Sequence, residues 1–386
     1  MQNFVFHNPT KVLFGRGMLA QLGAETSAHG KNVLLVSGRN HARESGLIER
    51  IINNLQEHQL KVFEFEGVQP NPLLGHVQAG VSFAKENQID VICGVGGGSV
   101  IDSAKAIAAG ALVDHDVWKF FTGKKSIKQA LPVIAVSTLA ASGSEMNSGM
   151  VLTRERSQQK FGFAHRLLYP KVAFMDPELT FSVPARHTAY GGVDALAHLL
   201  EFYLTSSGGT PVQDRYMECL AASIMQCCSQ AIANPSSYEA RAGLMWAAAL
   251  ALNGLSAAGL GKVGFPMHLI EHSLSALYDV PHGAGLSVVI PGWLKCNLEA
   301  GNRRIPKLFN ALFGGPEGSG QSADREGIEG LMSWFRSIQT PLSLPELGIS
   351  EKDIPMIAEN SLALAKVWRM REYDQHTVEK ILHRCL

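Results

Sequence analysis

Along the first half of the chain, short runs of consecutive apolar residues alternate with stretches of helical period. Residues 11–14, 33–37, 62–65, 89–93 and 132–137 are each of strand length. Apolar runs without alternation mark strands buried on both faces. Between them, residues 43–57 put Leu47, Ile48, Ile51, Ile52 and Leu55 on one helical face. Another helix follows Pro70-Asn71-Pro72 and runs to about Glu86, and a third spans 99–109 after a glycine turn at 94–98. Strands alternating with helices predict an α/β domain, a parallel sheet covered on both faces. Such sheets bind ligands at the carboxyl ends of their strands.

Beyond Asp176-Pro177 the pattern changes. Helical periodicity dominates residues 188–205, 212–233, 238–259 and 265–278 and continues to the C-terminus. The expected division is an α/β domain over 1–183 and an all-α domain over 184–386, with Pro184 at the boundary. Residues 313–327, rich in Gly, Ser and charge, read as a surface loop.

Composition narrows the function. The chain has 386 residues, 46% of them hydrophobic and 18% charged, enough for more than one packed core. Lys+Arg and Asp+Glu both number 34, so there is no electrostatic footprint for nucleic acid or an anionic membrane. The six cysteines form no C-x-x-C and read as free thiols of a reducing compartment. The N-terminus lacks the basic-then-apolar pattern of an export signal, and no apolar run reaches membrane-spanning length. These features predict a cytoplasmic protein.

The densest chemistry lies in residues 264–283, GFPMHLIEHSLSALYDVPHG, which hold His268, His272 and His282. His268 and His272 are four apart, on one face of a helix. Upstream, Asp194 and His198 repeat the spacing in apolar surroundings. A carboxylate and two or three imidazoles converging from helices form a donor set for Fe²⁺ or Zn²⁺. Burying Asp194 without a partner would cost several kcal/mol, and a cation is an efficient partner. A rival reading takes His268-Leu-Ile-Glu271-His272 as the inverted zinc-peptidase motif, with Glu271 as general base.

The first half has its own candidates. Gly96-Gly97-Gly98-Ser99 sits between a strand and a helix, where bare backbone can approach an anion at a helix N-terminus. Ser99 and Asp102 have capping-box spacing. The next strand ends in a second hydroxyl-rich loop, Thr138-Leu139-Ala140-Ala141-Ser142-Gly143-Ser144-Glu145. Two such loops on sheet ends suit a pyrophosphate and a nicotinamide ribose.

Taken in order, Gly-Gly-Gly-Ser99-x-x-Asp102, the loop from Thr138 to Glu145, Gly191-x-x-Asp194-Ala-x-x-His198 and His268-x-x-x-His272…His282-Gly283 resemble the iron-containing (group III) alcohol dehydrogenases. The opening Phe14-Gly15-x-Gly17 and Pro70-Asn71-Pro72 fit the same pattern, and the resemblance covers the whole chain. Met245-Trp-Ala-Ala248, Leu252-Asn-Gly-Leu255 and Ser144-Glu-x-Asn147 point to the butanol dehydrogenase branch, which includes NADPH-dependent aldehyde reductases.

The resemblance implies a site between the two domains, metal ligation by Asp194, His198, His268 and His282, and His272 beside the metal in substrate or proton handling. It implies cofactor contacts at Gly38, Arg39, Asn40, Asn71, Gly97, Gly98, Ser99, Asp102, Thr138, Leu139, Ser142, Ser144 and Lys160. The family's glycine-threonine pair before Gly-Ser-Glu is Ala141-Ser142 here, which keeps the hydroxyl but removes a glycine. NAD-specific relatives carry an Asp after the strand at 33–37; Gly38 and Arg39 stand there instead. The expectation is therefore a metal-dependent oxidoreductase moving a hydride between NADP(H), preferred over NAD(H), and a short primary alcohol or aldehyde. Homodimers are also implied. An alternative on the same two-domain plan is a dehydroquinate-synthase-like lyase, but 264–283 offers no cluster of cationic residues for an acidic substrate. A further alternative is an NAD-preferring polyol dehydrogenase.

Overall fold

The computed structural model describes residues 1–39, 41–314 and 321–386. They form two units, His7–Ser182 and a second made of Val183–Leu386 together with Met1–Phe6.

In the first unit the apolar runs become strands β1 (Lys11–Phe14), β2 (Asn32–Gly38), β3 (Lys61–Val68), β4 (Val91–Gly96) and β5 (Val133–Ser137). Three strands escaped the sequence reading at its far end. The hairpin β6 (Gly149–Arg154) and β7 (Gln159–Ala164) is antiparallel, and β8 (Val172–Met175) enters the main sheet between β1 and β5. The sheet is parallel throughout, in the order β1-β8-β5-β4-β2-β3. Its helices are α1 (Leu22–Ser27), α2 (His41–Glu44), α3 (Leu47–Glu57), α4 (Leu74–Glu86), α5 (Gly98–Gly110) and α6 (Trp118–Phe121). Leu47, Ile48, Ile51 and Leu55 of α3 pack with Val33, Leu35, Val91, Cys93, Val95 and Val136 in one core cluster.

Two expectations change here. The helix expected over 43–57 is broken at Gly46, whose φ of 70° is left-handed. The stretch 94–98 is not all turn: Gly94 and Gly96 belong to β4. A Cβ on Gly94 would meet Ala104 at 3.0 Å, and one on Gly96 would meet Val100 at 2.5 Å. These glycines let α5 lie close against the strand.

The second unit is helical: α7 (Ala185–Thr205), α8 (Pro211–Ala233), α9 (Tyr238–Ala251), α10 (Pro266–Tyr278), α11 (His282–Glu299), α12 (Arg304–Phe313), α13 (Gln321–Ser337), α14 (Ile354–Trp368) and α15 (Gln375–His383). The α/β plus all-α expectation describes the two units. Residues 1–6, expected with the α/β domain, belong instead to the helical unit: the Met1 ammonium donates to the Gly209 carbonyl at 3.1 Å, and Gln2 N–H to Gly259 at 2.9 Å. The helix expected over 238–259 stops at Ala251, because Gly254 and Gly259 take left-handed φ of 95° and 76°. The loop expected over 313–327 is helical from Gln321 onward, while residues 315–320 lie outside the described residues. All six cysteines are free, and among the described residues no helix is long and apolar enough to cross a membrane.

Candidate functional site

Two groups of side chains stand out, one in each unit. In the helical unit α7 presents Asp194, His198 and Glu201 at spacings of four and three, one face of one helix. Helix α10 presents His268, Glu271, His272 and Ser275 in the same way. His282 opens α11 immediately after Pro281, whose fixed φ suits the entry to a helix. A Cβ on Gly283 would collide with the Tyr190 carbonyl of α7, and one on Gly285 would meet the Glu271 carboxylate at 2.9 Å. The His-Gly-Ala-Gly run thus lets the first turn of α11 press against α7 and admits Glu271 beneath it.

This packing sets three imidazoles around one carboxylate oxygen. Asp194 Oδ1 lies 3.4 Å from His268 Nε2, 3.4 Å from His282 Nε2 and 3.7 Å from His198 Nε2. Asp194 is 4% exposed, yet Oδ1 makes no hydrogen bond; nor does the buried His268 Nε2. Ligand atoms of Asp194, His268 and His282 all lie within 4.8 Å of one another. A buried anionic oxygen and an imidazole nitrogen facing each other without a hydrogen bond fit a cation between them. The His272 ring stands beside the group, 5.6 Å from that of His282 and 5.5 Å from that of Trp368.

The outer nitrogens explain the orientation. His268 Nδ1 bonds Glu201 Oε2, and Glu201 Oε1 also accepts from the backbone N–H of Met267 (2.6 Å) and His268 (3.0 Å). His282 Nδ1 bonds Glu271 Oε2. Glu271 Oε1 contacts the Ser275 hydroxyl, which lies 2.9 Å from the Val280 carbonyl. Both glutamates are fully buried. Each holds its histidine with Nδ1 turned outward and Nε2 facing Asp194, the arrangement typical of ligating histidines. Glu271 therefore orients His282 and is not free to act as a general base, which removes the peptidase reading. Glu201 went unnoticed in the sequence; its signal was its place seven residues after Asp194 on the same helical face.

Electrostatics follow from this crowding. Burial alone would raise the Asp194 pKa, but the surrounding histidines hold it well below the usual carboxylate range. Burial lowers His198 to about 3, aided by the nearby His268 and His282. Burial opposes charge on His268 too, but Glu201 and Asp194 carry it up to about 10.

In the α/β unit, Gly97 caps α5 and Gly98 begins it, at the carboxyl end of β4. A Cβ on Gly98 would collide with Ser142 Oγ, and one on Gly97 would meet Leu139 at 3.2 Å. Ser142 Oγ is buried without a hydrogen-bond partner. An open helix N-terminus beside an unpartnered hydroxyl fits an anionic ligand such as a dinucleotide's phosphates. Thr138 adjoins the turn through its N–H to the Gly96 carbonyl, 3.1 Å. Lys160, on β7, donates to Asn71 Oδ1 at 3.0 Å.

Some expected roles shift. Ser99 and Asp102 do not form a capping box, because the cap is Gly97 and Ser99 already lies within the helix; its hydroxyl bonds the Pro70 carbonyl. Asp102 Oδ1 accepts from Ser144 Oγ at 2.5 Å and Oδ2 from Val151 N–H at 2.9 Å. Lys105, missed in the sequence and fully buried, donates to Ser144 Oγ (2.8 Å), Asn147 O (2.9 Å) and Gly149 O (2.8 Å). Asp102 and Ser144 thus tie the hydroxyl loop and the β6–β7 hairpin to α5 from beneath. Burial pushes Glu145 up to about 7 and Lys105 down to about 8.

At the end of β2, a Cβ on Gly38 would have nothing nearer than the Val68 carbonyl at 3.9 Å. Arg39 is exposed. Asn40 lies outside the described residues. Arg43 is already held by Glu49 (3.1 Å), Glu64 and Glu66 (3.3 Å).

Comparison with known proteins yields consistent matches. The iron-containing alcohol dehydrogenase model matches residues 9–177, and the C-terminal model of the Fe-containing alcohol dehydrogenase family matches 188–386. A probable NADH-dependent butanol dehydrogenase 1 of Bacillus subtilis is 39% identical over all of both chains. The NADPH-dependent aldehyde reductase YqhD of Escherichia coli is 32% identical over 92% of each chain. The crystal structure of an NADH-dependent butanol dehydrogenase A from Thermotoga maritima superposes with a TM-score of 0.96 at 39% identity, covering 100% of this chain and 99% of that one.

Proposed function

Because the chain belongs to the iron-containing alcohol dehydrogenase family of oxidoreductases, we propose that it interconverts short primary alcohols and aldehydes. In this reading NADP(H) is preferred over NAD(H), and one Fe²⁺ or Zn²⁺ is held by Asp194, His198, His268 and His282. The observation that carries it is the unpartnered, buried Asp194 Oδ1 within 3.7 Å of three imidazole nitrogens, two of them backed by buried glutamates.

When bound, the metal would supply Lewis acidity to the substrate oxygen and the nicotinamide the hydride. The chain's own part is positional. Glu201 and Glu271 keep Nδ1 of His268 and His282 occupied, so that both Nε2 lone pairs point inward. His272, buried beside His282, is placed to pass the proton that alcohol oxidation releases and aldehyde reduction consumes. In the other unit, the Gly97-Gly98 turn and Ser142 receive the pyrophosphate, and Lys160 with Asn71 the nicotinamide ribose.

The relatives' names divide between NADH and NADPH, so the cofactor preference rests on residues 38 and 39. A carboxylate is missing where it would repel a 2′-phosphate, and the Arg39 guanidinium can meet that phosphate with a charge-assisted fork. The protein works in the cytoplasm as a homodimer, and a monomer mass by light scattering at micromolar concentration would contradict the latter. The test of the whole reading is elemental analysis of purified protein with a steady-state screen of short aldehydes against NADH and NADPH. Metal-loaded protein that oxidises neither cofactor with any of them would overturn it.

A further inference from the structure

Two aromatic side chains beside the histidine group belong to neither its donor set nor the buried core. Phe265, immediately before α10, sets its ring edge-on to those of His268 (5.8 Å, 89°), His198 (6.5 Å, 76°) and Phe202 (5.2 Å, 70°). Trp368, the last residue of α14, lies 6.2 Å from Phe265 and 5.5 Å from His272. Phe202 behind them is buried, but Phe265 and Trp368 are only half-buried. The rings therefore form a continuous apolar strip touching His198, His268 and His272 at once while keeping surface open to solvent. Small-molecule sites have this composition, with apolar walls around a few polar groups that fix orientation.

We propose that Phe265 and Trp368 are specificity-determining residues, forming the wall against which the substrate's carbon chain lies. This rests on the alcohol–aldehyde reading above and deepens it. The preferred substrates are unbranched aldehydes and primary alcohols with an apolar chain of several carbons. Two-carbon substrates, and those carrying hydroxyls along the chain, gain nothing from the wall.

The test uses full-length, metal-loaded enzyme and the ratio of kcat/KM for butanal to that for acetaldehyde. Two methylene groups against an apolar surface correspond to about a tenfold preference. Phe265→Ala and Trp368→Ala are each expected to lower the ratio several-fold, together removing most of that preference, with metal content unchanged. Phe265→Leu, which restores apolar bulk, is expected to recover it. A merely structural role would depress both substrates by one factor. An unchanged ratio in Trp368→Ala, whose ring lies against His272, overturns the inference even if Phe265→Ala disturbs metal retention. Failure of the unmodified enzyme to reduce either aldehyde would instead sink the underlying functional reading.

Discussion

Replacing Glu201 by Gln changes one atom in the buried support of His268 and tests the proposed metal centre without touching a ligand. In the native protein the carboxylate accepts three hydrogen bonds, from His268 Nδ1–H and from the N–H groups of Met267 and His268 in the first turn of α10. A glutamine cannot satisfy all three. If its oxygen stays on the two backbone donors, its NH₂ faces His268 Nδ1 and forces the tautomer protonated at Nε2, the nitrogen turned toward Asp194. If the amide flips, two buried backbone N–H groups face an NH₂, at about 1–3 kcal/mol for each unsatisfied donor. The first outcome weakens metal binding by about 10–100-fold, or about 1.4–2.7 kcal/mol; the second appears mainly as a lower Tm. Competition with a chelator of known affinity measures the first, and calorimetry of the metal-free protein the second. Metal affinity within twofold of the original together with an unchanged Tm would refute the reasoning, because it would mean that His268 is not oriented through Glu201.

Other predictions follow from the same geometry. His268→Ala and Asp194→Ala should lose both metal and activity, whereas His272→Ala should keep the metal and lose turnover; an emptied site in His272→Ala with metal retained in His282→Ala would reverse the ligand assignment. Gly38→Asp has room for its Cβ and should invert an NADPH preference of at least about tenfold, roughly 1.4 kcal/mol in kcat/KM; better efficiency with NADH in the unmodified enzyme would defeat the argument. Glu145, whose pKa burial raises from 4.5 to about 7, binds its proton more tightly folded than unfolded. Its contribution to stability is therefore fully present below pH 4.5 and lost as pH rises through about 7. Lys105, lowered from 10.5 to about 8, acts in the separate window above pH 8. Glu145→Gln should accordingly flatten the decline of Tm between pH 4.5 and 7 relative to the original protein, and parallel Tm profiles would count against it.

Much of this protein was legible in its residue order, because local physics sets local patterns. Unbroken apolar runs such as 33–37, short and ended by glycine, mark strands covered on both faces, and the spacing of Asp194 and His198, or of His268 and His272, places each pair on one face of any helix that carries it. The sequence also exposed the glycine turn before α5. It did not reveal what Gly94 and Gly96 were for, since a glycine that admits a neighbouring helix and one that makes a turn look alike until the neighbour is in place. The β6–β7 hairpin lacked the apolar runs that announced the other strands; β8, the unbroken apolar run Val172–Met175, carried the same signal and was overlooked. Nor could helical periodicity say whether His272 or His282 would face Asp194. The resemblance to a family supplied that choice; the structure supplies its cause, the start of α11 at Pro281 and the glycine at 283 that brings it against α7. Glu201 and Glu271 were visible as residues but not as partners of His268 and His282, because a hydrogen bond between helices depends on how they pack, and packing is a property of the whole chain.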